Sequence, residues 1–215
     1  MLRDVRYSIT DGQLQQPGQQ GTGIHVKIGA SPVDTAESVS ITGTMSAAKI
    51  KEKLGLSPLA DAVMDSVENG SAKILCLPVL ASTAGTVTEV TVSEKAGGTV
   101  TVEGTPHNAF RVIVRITGKG GLNTASFRYS LNGGYSWSDD ITVPTAGQYA
   151  VEDAGFTMTF STDSAFEVGD TFRFETTAPT MTNDDVMKAA AKLKDISTAY
   201  ELSLIHISEP TRLDV

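Results

Sequence analysis

Cysteine occurs once in the 215 residues. One thiol closes no internal disulfide, and such sparing use suits a reducing compartment. Cys76 lies in the apolar run Ile74-Leu75-Cys76-Leu77, where a buried, inert thiol is expected rather than a nucleophile. Positive charge is also scarce: 17 Lys and Arg against 25 Asp and Glu leave a formal net charge of −8. That balance argues against nucleic acid as a direct partner, because phosphate contacts need a basic surface. No apolar run approaches the roughly 18 residues of a membrane span, so no membrane partner is expected. Met1-Leu2-Arg3-Asp4 opens without the apolar core of a secretion signal. What is present is ordinary for a folded chain: 40% apolar and 20% charged residues, enough for one or two domains with cores of their own.

The apolar spacing changes character twice. Val5 to Thr10 reads as a short strand, and the Gln- and Gly-rich stretch from Asp11 to Gly23 as a flexible connector. In Gly23 to Gly29, Ile24, Val26 and Ile28 alternate with polar positions, as a strand requires. Ser38 to Thr42 is a second strand. Ser46 caps a helix with Ala47, Ile50 and Leu54 on one face, stopped by Gly55. Ser57-Pro58 opens another, with Leu59, Val63 and Val67 at helical spacing and Asn69-Gly70 as its stop. Ala72 to Val79 is nearly all apolar, as in a strand covered by helices on both faces.

About a hundred residues of short strands and glycine turns follow. Strands are predicted at Thr99–Glu103, Phe110–Thr117, Ser126–Leu131, Ile141–Val143, Phe156–Phe160 and Thr171–Thr176, a spacing that suggests a small sandwich. Phe110, Val112, Val114 and Ile116 are the core face of theirs, with Arg111, Ile113 and Arg115 opposite. Thr182-Asn183-Asp184-Asp185 then resembles a capping box with Asp at its third position, ahead of a helix whose buried stripe is Val186, Ala189, Ala190 and Leu193.

Chemistry-bearing motifs are few. Ser130-Leu131-Asn132-Gly133-Gly134-Tyr135-Ser136-Trp137 resembles the Asp-box turn of sialidase propellers and other β proteins. Its residue types serve a hairpin: Asn132 bonds its own backbone, Gly134 takes the positive φ and Trp137 packs beneath. A propeller would repeat it, and it occurs once. Thr117-Gly118-Lys119-Gly120-Gly121 lacks phosphate-loop spacing and reads as a plain turn. Asp139-Asp140 and Asp184-Asp185 lack the oxygen ligands of a calcium loop, and so does Asp163 to Asp170. His25 sits on the polar phase of its strand and His107 in a Pro-His-Asn turn, neither with a second clustered ligand. No nucleophile-elbow sequence is present. No catalytic, metal or cofactor residue is assigned, and the chain is expected not to be an enzyme.

Leu202-Ser203-Leu204-Ile205-His206-Ile207-Ser208-Glu209-Pro210-Thr211-Arg212 back-translates to the end of a common transposase-based sequencing adapter read in frame. Residues 202–215 are therefore expected to derive from the adapter, with the natural chain continuing past Glu201.

The order of motifs from residue 23 to 79 resembles the opening of contractile phage tail sheath proteins. It runs Gly-Ile-His-Val-Lys-Ile-Gly-Ala-Ser-Pro (23–32), Ser38-Val39-Ser40-Ile41-Thr42, Lys53-Leu54-Gly55, Ser57-Pro58-Leu59-Ala60-Asp61-Ala62-Val63, Glu68-Asn69-Gly70, and Ala72-Lys73-Ile74-Leu75-Cys76-Leu77-Pro78-Val79. Residues 1–201 are also similar to phage tail proteins of Gram-positive hosts and their prophages. The Pro-Gly-Val-Tyr start usual in sheaths is missing, and so is the C-terminal sheath core.

The resemblance implies an α+β or α/β fold, a small sheath-type α/β domain interrupted by a sandwich-like all-β insertion. The expected layout is an arm and linker at 1–23, the first part of the α/β domain at 24–93, the inserted β domain at 94–180, a return helix at 181–201 and the adapter-derived end at 202–215. It also implies rings of copies stacked around a tail tube, with the tube and baseplate proteins as further partners, in a virion made in the bacterial cytoplasm. Strand addition by an N-terminal arm would use Leu2, Val5, Tyr7 and Ile9. The competing readings are another tail component (tube or baseplate), a carbohydrate-binding module resting on the β block and Trp137, and an enzyme with a site assembled only in space.

Overall fold

The computed structural model describes residues 24–33, 35, 37–92, 97–161, 165–195 and 200–205. The expected arm residues Leu2, Val5, Tyr7 and Ile9 lie outside them. In chain order the first elements are β1 (Ile24–Ala30), β2 (Val39–Thr42), α1 (Ala47–Leu54), α2 (Pro58–Glu68) and β3 (Lys73–Val79). Then come β4 (Thr91–Val92), β5 (Val100–Gly104), β6 (Arg111–Gly118), β7 (Ser126–Ser130), β8 (Ile141–Thr142), β9 (Gln148–Val151), β10 (Phe156–Phe160) and β11 (Thr171–Glu175). Helix α3 (Asn183–Ala191) and β12 (Tyr200–Ile205) close the order. The fold is mixed α/β but β-rich, with 40% strand in three sheets against 20% helix.

One sheet runs β12-β1-β3-β2. β1 is parallel to both β3 and β12, and β2 is antiparallel to β3. Helices cover it on both faces. Ile74 and Cys76 of β3 pack with Ile41 against Ile50 and Leu54 of α1 and Leu59 and Val63 of α2. Val26 and Ile28 of β1, with Leu77 of β3, pack against Ala189 of α3 and Leu193 beyond it. The two faces explain why Ala72 to Val79 is apolar without alternation. Ala47 is exposed; α1 buries only Ile50 and Leu54, so one of the three residues expected on its inner face turns outward at the first turn. The helix starts follow from local chemistry. Ser57 accepts from the Ala60 amide at 3.2 Å with Pro58 beginning the helix, and Thr182 with Asp185 forms the reciprocal capping box.

The other two sheets, β5-β10-β9 and β4-β11-β6-β7-β8, enclose a single core. Val112, Val114 and Ile116 enter it from β6, Phe127 from β7, Met158 and Phe160 from β10, and Phe172 and Phe174 from β11. Rings meet edge to face, Phe160 on Phe166 at 5.7 Å and Phe156 on Phe174 at 5.4 Å. The six predicted strands are present, and β4 and β9 join them. β4 has two residues, too few for a period. β9 has only Tyr149 and Val151 turned towards the core.

The path into the β block and the path out run side by side. Thr83 and Thr180 exchange amide and carbonyl, at 3.3 and 3.0 Å. The Thr86 amide donates to Thr177 Oγ1 at 2.8 Å. Gly85 has no room for a side chain here, since a Cβ would run into the Thr177 carbonyl. β4 pairs with β11, so the five-stranded sheet draws on residues ahead of the expected boundary at 94. A second contact joins the bodies where Asn108 Nδ2 donates to Asp61 Oδ2 of α2 at 2.6 Å.

β12 lies beside β1 with Leu202 opposite Val26 and Leu204 opposite Ile28. Residues 202–205 belong to the stretch read from the sequence as adapter-derived. A sheet edge offers backbone donors and acceptors to whatever segment lies along it and asks little of the side chains; Leu202 and Leu204 are 47% and 38% exposed.

Candidate functional site

The sharpest sequence motif folds as a side-chain-tied turn after β7. Asn132 Oδ1 accepts from the Ser136 amide and the Ser130 hydroxyl, each at 2.9 Å. Its Nδ2 donates to Ser136 Oγ at 2.9 Å, and Ser130 Oγ accepts from the Gly134 amide at 2.8 Å. Gly133 and Gly134 adopt φ of 72° and 99°, a region that side chains with a Cβ rarely enter. Asn132→Ala is expected to cost about 1–2 kcal/mol through the lost turn bonds. Asn132→Asp should retain most of the stability, because the Ser136 hydroxyl can rotate to donate. Urea denaturation of the three chains compares them.

The turn carries Trp137 back over the outer face of the five-stranded sheet. The ring lies 4.9 Å from the Arg128 guanidinium and 5.9 Å from that of Arg115. Register places Arg115 directly opposite Arg128, and Arg173 opposite Ile113 in the next row. Arg111 follows, opposite Glu175 and ion-paired with it at 3.7 Å. Among the described residues, Arg111 alone of these four arginines has a carboxylate partner, and Arg128 Nε is buried with no acceptor. Arg111, Ile113 and Arg115 were legible as one face of a strand. The convergence of Arg128, Arg173 and Trp137 on them was not, because it depends on which strands pair.

The groups weighed from the sequence find structural roles. Burial pushes the Cys76 thiol up to about 12, against a smaller opposing pull from Lys27, so it is protonated and inert at neutral pH. Asp170 is buried and accepts from the Gly97 amide at 3.0 Å and the Glu167 amide at 2.9 Å, which makes it a loop tie. Lys119 pairs with Glu167 at 2.7 Å. His107 Nδ1 is 3.0 Å from the Asp153 carbonyl, and His25 is 3.5 Å from Glu201. Among the described residues, no three of His, Cys, Asp and Glu gather as a metal site would need, and no helix is long and apolar enough to cross a membrane.

Asp185 was predicted as a helix cap and does more. Its carboxylate accepts from the Ser82 amide at 3.0 Å and Ser82 Oγ at 2.6 Å, as well as from the amide and hydroxyl of Thr182, both at 2.9 Å. Burial raises its pKa, but these bonds outweigh that and hold it below the ordinary carboxylate range. It ties α3 to the segment leaving β3, at the root of the β block.

No curated protein and no solved structure matches the chain. Residues 2–213, nearly the whole chain, match the family model of DUF2586, N-terminal domain. The chain belongs to the DUF2586 family.

Proposed function

We propose that this chain is a structural subunit of a contractile phage tail sheath, which works by packing against copies of itself around a tail tube. The observation that carries the reading is the architecture: an α/β body opened between β3 and α3 to admit a β sandwich whose two connections are paired at their root. Such a root lets an insertion project without disturbing the body that bears it. The order of motifs along residues 23–79 adds to it, and so does the bonding of Asn132, Asp170 and Asp185, which serve a turn, a loop tie and a helix cap. The work of such a subunit lies in the difference between two packings of many copies.

Deleting residues 1–12 is expected to leave a folded monomer that no longer forms tubes, as judged by circular dichroism and negative-stain electron microscopy. Normal tubes after that deletion would refute the arm's role. An intact protein that stays monomeric at every concentration while turning over a small molecule would refute the reading itself.

A further inference from the structure

We propose that the arginine face of the five-stranded sheet docks a second copy of this chain through an acidic part of that copy's surface; the inference deepens the reading above and rests on it. Like charges directly opposite each other on neighbouring strands oppose sheet pairing. Arg115 and Arg128 stand in that relation, and among the described residues no carboxylate neutralises either. Trp137 lies over both. Stacking occupies the flat of a guanidinium and leaves its N–H edge to seek an acceptor. Arg128 Nε has none. The Trp137 contact offsets part of the repulsion but leaves both positive charges without a counter-charge among the described residues, which points to a partner outside the free chain. That partner must bring carboxylates.

The surroundings have the composition of a protein contact. Tyr135 stands 93% exposed at the turn beside Trp137. Trp, Tyr and Arg are the residue types that dominate binding energy between proteins. Between Arg111 and Arg173, an open groove of about 570 Å³ passes Thr91, Ile113 and Glu175.

Charge complementarity selects the copy. The chain carries −8 overall, yet Arg111, Arg115, Arg128 and Arg173 share one sheet face, so the rest of its surface is more acidic than the total suggests. Two such bodies repel on average and attract when the basic face of one meets an acidic face of the other. An interface between unlike patches is heterologous and repeats from copy to copy, giving rings or open stacks.

The test is sedimentation velocity of the 215-residue chain over a concentration series, in low and high salt. Two charge-reversed variants accompany it: Arg115→Glu/Arg128→Glu, and Arg173→Glu, which leaves the Trp137 stack untouched should the first fail to fold. Self-association should weaken at least about tenfold in high salt and in each folded variant. The variants keep their acidic surface and should still add to one end of unmodified oligomers, capping them. Association unchanged by either reversal would overturn the proposal and leave the self-assembly reading standing. An unmodified chain that never associates would also overturn the proposal, whereas the reading above is tested separately, by tube formation. Arginine-dependent binding of polygalacturonate, with self-association unaffected, would overturn the proposal in favour of an acidic polysaccharide.

Discussion

Replacing Phe127 with alanine should destabilise the β block by about 3–5 kcal/mol, the range for deleting a fully buried ring. Phe127 is 0% exposed and meets Tyr149 edge-on at 5.4 Å and Phe160 at 4.7 Å. It therefore bridges β7 of the five-stranded sheet to β9 and β10 of the three-stranded one. Its loss leaves a cavity between the two layers, and aromatic contacts hold both walls too firmly to collapse into it. Isolated hairpins are marginal in water, so the short strands depend on this shared core. The apolar clusters on either face of the four-stranded sheet contain no residue of the block. Hydrogen exchange should therefore quicken across β5 to β11 well before it quickens in β1 and β3. Uniform loss of protection across the whole chain, or a cost below about 1 kcal/mol in urea denaturation, would show that the two bodies do not hold separate cores.

Asp185→Ala is the second large effect, at about 2–4 kcal/mol, because two backbone amides and two hydroxyls lose a buried charged acceptor together. Asp185→Asn can keep part of the cap but replaces one accepting oxygen with a donor that faces donors. The pH dependence follows from the direction of the carboxyl's shift. The folded pKa is depressed, so the stabilisation is complete above the unfolded value, about 3.9. It fades as the pH falls below that value and is gone once the pH has passed through the lower folded value. Acid titration of stability should show a steeper loss below about pH 4 in the unmodified chain than in Asp185→Ala. Parallel curves would show that this carboxylate is not a determinant of acid stability.

The reach of the sequence is clearest at Asp185. Its place after Thr182 announced a capping box, because both bonds of that box lie within one turn of helix. Nothing announced Ser82, 103 residues away. The alternation in β6 likewise showed which of its side chains enter a core, but Arg115 acquires its neighbours Arg128 and Trp137 only through the register of β6 with β7. β9 escaped notice because four residues are too few to establish a period, and they become a strand by pairing with β10.

Local chemistry, written in neighbouring residues, set the helix starts and stops, the strand faces and the side-chain-tied turn, because each of these is decided within a few bonds of the backbone. Pairing at a distance decided the rest: the paired root of the sandwich, the tie from α3 to the end of β3, and the gathering of four arginines on one face of an acidic chain. Those features depend on which segments come to lie side by side. That choice is made by the burial of side chains from many elements at once, and no single stretch of sequence carries it.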